Sequence, residues 1–295
     1  MSMRFVAMVA ACLLAAGSVP MGASAGQDIS TRSGAQAVRI AIKSGAALVI
    51  DQESGELLYA KNEDQVVPIA SITKLMTAMV ILDSGVPLLE SVTVDRADVD
   101  RYKGSRSKLA VGLELTRSDL LKLALMASEN RAASALARTY PGGSAVFIDT
   151  MNRKAQLLGM TNTRFVDATG LNPGNVSTAE DLAKLVAAAH EYPVIRDYTT
   201  AESARFETAG TRRPGFLQFV NSNRLVRSSA WDIGLSKTGY ISEAGRCLVM
   251  QARIAEKSLI IVLLDSWGKM TRIGDANRIK RWLERDIALR DSFRS

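Results

Sequence analysis

Cysteine and histidine are almost missing: the 295-residue chain carries two cysteines, Cys12 and Cys247, and one histidine, His190. A single imidazole cannot build a metal site by itself, and no spacing offers a Ser-His-Asp triad. His190 follows the helical run 181–189 and reads as a cation at a helix C-terminus or a surface residue. Long hydrophobic runs are missing after the first residues, since the longest, 258–264, is only strand-sized and predicts no membrane span. Aromatics make up 5% of the chain, and the 37 Lys and Arg are scattered rather than interleaved with them. Nucleic-acid binding therefore has no support, and the net charge of +7 implies a generally basic surface that could favour an anionic wall polymer or membrane surface.

The first residues do contain an apolar stretch. Arg4 precedes the run 5–16, and Ala23-Ser24-Ala25 forms a small-residue cleavage pattern. Together they predict an export signal over 1–25, cleaved after Ala25, and hence a periplasmic location. Val9-Ala10-Ala11-Cys12 faintly resembles a lipoprotein attachment site, but cleavage there would leave a leader of only about seven apolar residues. Removal of 1–25 takes away Arg4 and lowers the charge from +7 to +6. It also removes Cys12, so Cys247 has no intramolecular partner even in an oxidising compartment. Its apolar neighbours make Cys247 a buried rather than a reactive thiol.

Three short strings carry the chemistry: Ser71-Ile72-Thr73-Lys74, Ser128-Glu129-Asn130 and Lys237-Thr238-Gly239. A Ser-x-x-Lys match is expected about once by chance in a chain of this length, and Ser105-Arg106-Ser107-Lys108 is a second one. Context separates them. Ser71 opens the apolar run 75–82, which contains no Gly or Pro and predicts a buried helix with Ser71 and Lys74 on one face. The second match lies in a polar, basic, Gly-containing stretch and reads as a solvated loop.

A serine hydroxyl is a weak nucleophile that needs a base within hydrogen-bond reach. Lys74 can be that base once burial, or Lys237 approaching from elsewhere, lowers its pKa. Ser71 at a helix start also has a backbone N–H free to meet a developing oxyanion. Thr116 and Asp119 form a capping pattern for the helical run 120–127, which places Ser128 and Asn130 in a turn before a further helix. Lys237-Thr238-Gly239-Tyr240 reads as a strand at a cleft edge, with Lys237 and Thr238 facing an anionic substrate group. Gly239 allows close backbone approach, and the Tyr240 N–H is the second oxyanion donor.

These strings, with Gly159-Met160-Thr161-Asn162-Thr163-Arg164-Phe165 and Thr169-Gly170-Leu171, make the chain similar to the low-molecular-mass penicillin-binding proteins of the D-alanyl-D-alanine peptidase family, from about residue 46 to about 283. The likeness is greatest to the family's endopeptidase branch. The resemblance implies acylation of Ser71 by the D-alanyl carbonyl of peptidoglycan stem peptides and cross-links, with Lys74 as general base, Ser128 as proton relay and Asn130 orienting Lys74 and the substrate amide. It implies inhibition by β-lactam antibiotics, and no metal or organic cofactor. A basic residue, Lys269 or Arg272, is expected to hold a substrate carboxylate. The carboxypeptidase branch usually adds a β-rich domain and a membrane anchor, and the chain stops at Ser295, which favours an endopeptidase. A carboxypeptidase, a serine β-lactamase and a catalytically silent wall-binding protein are the alternatives. A β-lactamase needs a deacylation base, for which Asp167 is only a loose candidate; the favoured reading of Asp167 is a turn or cap aspartate.

For the fold, a mixed α/β chain is expected, with an antiparallel sheet flanked by helices and an inserted helical subdomain. After a flexible leader over 26–36, one catalytic domain covers 37–290. Residues 47–50 and 57–60 predict a first hairpin, 71 to about 190 are mostly helical, and 247–255 with 258–264 predict a second hairpin turning at Glu256-Lys257. A helix over 274–287 closes the chain.

Overall fold

Three long apolar strands, buried along both faces, set the architecture. The computed structural model describes residues 40–208 and 215–292, so the expected export signal over 1–25 and the expected leader over 26–36 lie outside the described residues. In chain order the elements are β1 Ala46–Asp51, β2 Leu57–Lys61, β3 Val67–Pro68, α1 Thr73–Asp83, β4 Ser91–Thr93, β5 Glu114–Thr116, α2 Arg117–Met126, α3 Asn130–Arg138 and α4 Gly143–Leu157. They continue with β6 Val176–Ser177, α5 Ala179–His190, α6 Pro193–Thr200, β7 Ser203–Thr208, β8 Gly215–Val220, β9 Asp232–Ile241, β10 Gly245–Ile254, β11 Lys257–Ser266 and α7 Thr271–Ser292.

Strands from both ends of the chain build one antiparallel sheet in the order β2-β1-β11-β10-β9. Its closing seam pairs Ala46 with Leu264 and Asp51 with Leu259. Because successive side chains in a strand point to opposite faces, Leu259, Ile261 and Leu263 of β11 enter one apolar layer while Ile260, Val262 and Leu264 enter the other. Both faces are covered, which is why the strands read as unbroken apolar runs rather than alternating ones. On one side α7 lays down Ile273, Ala276, Ile279 and Leu283, a stripe at helical spacing. On the other lies the helical insertion. Its centre, α1, is buried all round from Thr73 to Ile81, as expected of a helix with no polar face.

The mixed fold, the first hairpin and the inserted helices match the sequence expectations. Three details differ. The β10–β11 turn sits at Ala255-Glu256, where φ is 48° and 65°, and Lys257 already pairs with Ile254. Two left-handed residues supply the twist that a two-residue hairpin needs, so the turn is one residue earlier than composition suggests. The β7–β8 hairpin, pairing Ser203 with Val220, was not foreseen. The last helix begins at Thr271, earlier than Gly274.

The start of the described chain is tied to α7 by a buried carboxylate. Asp275 accepts from the Lys43 N–H (3.0 Å), the Ser44 N–H (2.7 Å) and the Ser44 hydroxyl (2.6 Å), and pairs with Arg278. Asp275→Ala would leave two backbone donors and a hydroxyl without their acceptor in a buried site. The expected loss is about 3 kcal/mol in urea unfolding, and a loss under about 0.5 kcal/mol would mean that water replaces the carboxylate.

Candidate active site

Four separate elements deliver the residues of the three strings to one cleft. Ser71 lies on a single 3-10 turn, Ala70–Ile72, that leads into α1, and Lys74 is in the first turn of that helix. Ser128 occupies the break between α2 and α3, Asn130 opens α3, and Lys237, Thr238 and Gly239 lie in β9. Two residues here are left-handed without being glycine: Ala70 with φ 48° and Ser128 with φ 61°. Each costs roughly 1–3 kcal/mol locally, so the surrounding contacts must hold them.

Those contacts are visible. The Thr73 hydroxyl donates to the Ala70 carbonyl at 2.8 Å, and Asn175 Nδ2 donates to Thr73 Oγ1 at 2.9 Å. Two glycines then press on the serine turn. A Cβ on Gly239 would lie 2.9 Å from the Ile69 carbonyl oxygen and 3.2 Å from Ser71 N, and one on Gly170 would lie 1.9 Å from the Ala70 oxygen. Gly170 also has φ +79°, which a side chain would strain.

Lys74 is fully buried, and its Nζ lies 2.7 Å from Ser71 Oγ, 2.8 Å from Asn130 Oδ1 and 2.6 Å from the Thr169 carbonyl oxygen. Burial pulls its pKa down to about 7, against the opposing pull of Asp167 and Glu129. A neutral amine has two N–H groups and one lone pair. Asn130 Oδ1 and the Thr169 oxygen can take both hydrogens, which leaves the lone pair for the Ser71 hydroxyl. The arrangement can therefore remove the Ser71 proton near neutral pH.

Lys237 is also buried and donates to Ser128 Oγ at 2.8 Å and to the Thr238 carbonyl at 2.9 Å. Its pKa is lowered well below the ordinary lysine value, by burial first and then by the charges of Lys74 and Arg272. The expected electrostatics are thus partly reversed: burial is what lowers Lys74, and Lys74 is the neighbour that destabilises charge on Lys237. Thr238 Oγ1 donates to Ser222 Oγ at 2.8 Å. Arg272 donates to the Gly239 carbonyl at 2.9 Å and the Cys247 carbonyl at 3.2 Å, which puts it beside β9, whereas Lys269 lies in the β11–α7 connection beside Tyr240.

Several sequence readings are sharpened or corrected. The second Ser-x-x-Lys match is indeed loop, but Ser105 is not merely solvated: Asn130 Nδ2 donates to Ser105 Oγ at 3.0 Å. Asp167 is a turn aspartate. Its Oδ1 accepts from the N–H groups of Thr169 (2.7 Å) and Gly170 (2.6 Å), and its Oδ2 from the N–H of Asn172 (2.7 Å). His190 ends α5 but is half-buried against β9, where a Cβ on Gly234 would fall 2.9 Å from its Nε2. Burial, then Arg196, lowers its pKa, so it is an uncharged packing residue at neutral pH rather than a helix-end cation. Cys247 is buried, and burial pushes its thiol up to about 11, far from a reactive thiolate. The Thr169 carbonyl, Ser105 and Ser222 were not foreseen as site groups, because a backbone oxygen and lone loop serines leave no spacing signal.

Gly170→Ala should move the serine turn by the better part of an ångström. Acylation of Ser71 by an activated ester is expected to slow about 100-fold with the fold retained by circular dichroism, and an unchanged rate would show that the 167–172 loop does not position the serine.

Comparison with known proteins agrees with this geometry. Residues 31–268 match the peptidase family described as D-alanyl-D-alanine carboxypeptidase. The chain is 48% identical over 244 residues to the D-alanyl-D-alanine endopeptidase of Pseudomonas aeruginosa, covering 82% of this chain and 78% of that protein. It is 47% identical, with the same coverage, to the D-alanyl-D-alanine endopeptidase of Escherichia coli. Among solved structures, a Streptomyces DD-transpeptidase superposes with TM-score 0.77 at 31% identity, over 83% of this chain and 98% of that one. On sequence and on fold alike, this chain belongs to the D-alanyl-D-alanine carboxypeptidase family of serine peptidases.

Proposed function

We propose that the protein is a serine D-alanyl-D-alanine endopeptidase that hydrolyses peptidoglycan cross-links through an ester on Ser71. The observation that carries this reading is the buried, near-neutral Lys74, with acceptors for both its hydrogens and Ser71 Oγ 2.7 Å from its nitrogen. Lys74 takes the serine proton as Oγ bonds to the D-alanyl carbonyl carbon. The oxyanion meets the N–H groups of Ser71 and Tyr240, and one such donor contributes about 2.7–4 kcal/mol to the transition state. Ser128, whose oxygen accepts from Lys237, gives its own hydrogen to the leaving amine as the C–N bond breaks and takes in its place the proton that Lys74 removed from Ser71, which leaves Lys74 neutral again. Water then hydrolyses the ester. Lys237, Thr238 and Arg272 face the carboxylate of the leaving half, and that charge stabilises the Lys237 proton.

The alternatives rank below this. The endopeptidase relatives share 47–48% identity with this chain, while carboxypeptidase relatives such as that of a Streptomyces strain share 33%. The Asp167 oxygens already accept backbone N–H groups, which argues against a role in activating deacylating water as a β-lactamase would need. A silent wall-binding protein has no use for a nucleophile paired with a buried base. The periplasm is the compartment in which this substrate occurs, and the export signal supports it. Among the described residues no helix is long and apolar enough to cross a membrane.

Fluorescent penicillin should label the mature protein persistently and fail to label Ser71→Ala, and cross-linked muropeptide dimers should be cut to monomers. Loss of the label within seconds would instead indicate a β-lactamase, and release of terminal D-alanine with dimers left intact a carboxypeptidase.

The pH profile has a definite sign. Lys74 must be unprotonated to act, so the acylation rate should fall about tenfold per unit below pH 7 and level off above it. A rate that stays flat from pH 5.5 to 8.5 would remove Lys74 as the base.

A further inference from the structure

Between β8 and β9 the chain passes the cleft as Asn221-Ser222-Asn223-Arg224-Leu225, in which every second residue is buried. Asn221 Nδ2 donates to the carbonyls of Thr199 (2.9 Å) and Ala201 (2.8 Å), and its Oδ1 accepts from the Asn223 N–H at 2.8 Å. Asn223 Nδ2 donates to Ser236 Oγ at 3.1 Å, and its Oδ1 accepts from the Leu225 N–H at 3.1 Å. With Asn221, Asn223 and Leu225 turned inward, Ser222 and Arg224 are turned outward on one side, as alternate residues of an extended segment are. Two buried asparagines thus fix the direction of two exposed side chains.

One of the two is already at the site, since Ser222 Oγ accepts from Thr238 Oγ1 at 2.8 Å. Arg224 has no part in the reaction derived above. Its Nη1 donates to Met270 Sδ at 3.4 Å, and Met270 is 49% exposed. Two residues after Met270, Arg272 donates to the Gly239 carbonyl at 2.9 Å. The path from Thr238 through Ser222, Arg224, Met270 and Arg272 to Gly239 therefore closes on itself at the outer edge of β9, where the leaving half sits. Arg224 makes no ion pair among the described residues, and the thioether takes only one of its N–H groups. A guanidinium steadied at one corner, with the rest of its fork unpaired, suits a carboxylate.

Length decides which leaving group brings that carboxylate. Lys237 and Thr238 face the carboxylate next to the leaving amine, and Arg224 lies two extended residues beyond Ser222, about 7 Å further out. A lone D-alanine spans about 3.6 Å at most and has no second carboxylate. The leaving half of a cross-link is a peptide, with a further carboxylate at its own C-terminus. We propose that Arg224, backed by Met270, is a specificity-determining residue that takes this second carboxylate and so favours cutting of cross-links over removal of a terminal D-alanine. The proposal deepens the peptidase reading and rests on it for the direction of the substrate.

Binding can be read separately from turnover. A cross-linked muropeptide dimer and a monomeric pentapeptide muropeptide are each titrated against fluorescent penicillin, and initial labelling rates are normalised to the same protein without peptide. In Arg224→Gln about tenfold more dimer should be needed for equal protection of Ser71, the size of one charge-assisted contact, while the pentapeptide protects as it does the native protein. Arg224→Lys, which keeps the charge, should need less than about threefold more dimer. Native labelling rates without peptide certify that both variants are folded with the cleft intact. Unchanged protection by the dimer in Arg224→Gln, or an equal loss for dimer and pentapeptide, overturns the assignment, as does an Arg224→Lys variant as weak as Arg224→Gln. Chromatography of the same samples reports on the peptidase reading alone: a tenfold loss confined to the dimer, with the native protein leaving the dimer uncut, would refute hydrolysis of cross-links and keep the role of Arg224.

Discussion

A lysine amine held out of water is the constraint on which the rest of this molecule depends. Lys74 can serve as a base near pH 7 only if its charged form is disfavoured, and burial supplies that. Burial in turn demands that every remaining polar contact of the amine be provided by protein. Ser71 Oγ, Asn130 Oδ1 and the Thr169 carbonyl meet the demand, and each comes from a different part of the chain. The apolar circumference of α1 is the local expression of the same requirement, since the helix that carries Lys74 must pass through the middle of the insertion.

Each of the three oxygens needs its own support. The Thr169 carbonyl is presented by a loop wrapped around the Asp167 carboxylate, whose oxygens gather the N–H groups of Thr169, Gly170 and Asn172. Asn130 is held from its other end by Ser105. Ser71 sits one residue after a left-handed Ala70, and the contacts of Thr73, Gly170 and Gly239 keep that turn in place. Ala70 and Ser128 are held in left-handed conformations beside the cleft, which fits a scaffold that imposes local geometry on a site.

Much of this was legible before any coordinates. The apolar run after Ser71 distinguishes it from Ser105, because only a helix without a polar face has to be buried and can desolvate the lysine three residues after the serine. The capping pair Thr116 and Asp119 marks where α2 begins, and the Thr116 side chain does accept from the Asp119 N–H. What stayed hidden were contacts made by groups without a residue-type signature. The Thr169 oxygen is backbone, Ser222 is one serine among many, and the role of Ser105 comes from where its loop crosses the cleft. Only the cation half of the His190 reading fails, for a related reason. Its place at the end of α5 predicts a cation, but β9 packs over it through Gly234, and a neighbour from another element outweighs the helix end.

By itself, then, the amino-acid sequence determined which groups could react: a serine and a lysine on one helical face, a second serine with its asparagine, and a lysine-threonine-glycine strand. Local spacing and side-chain chemistry are properties of a few adjacent residues, so they survive without a fold. Only the tertiary structure decided how protons are shared among them. Lys74 rather than Lys237 lies against Ser71, Lys237 holds Ser128, and Asp167 is occupied by backbone amides. Charge balance in a buried cleft depends on desolvation and on distances between segments about a hundred residues apart in the chain, and those quantities come into existence only when the chain is packed.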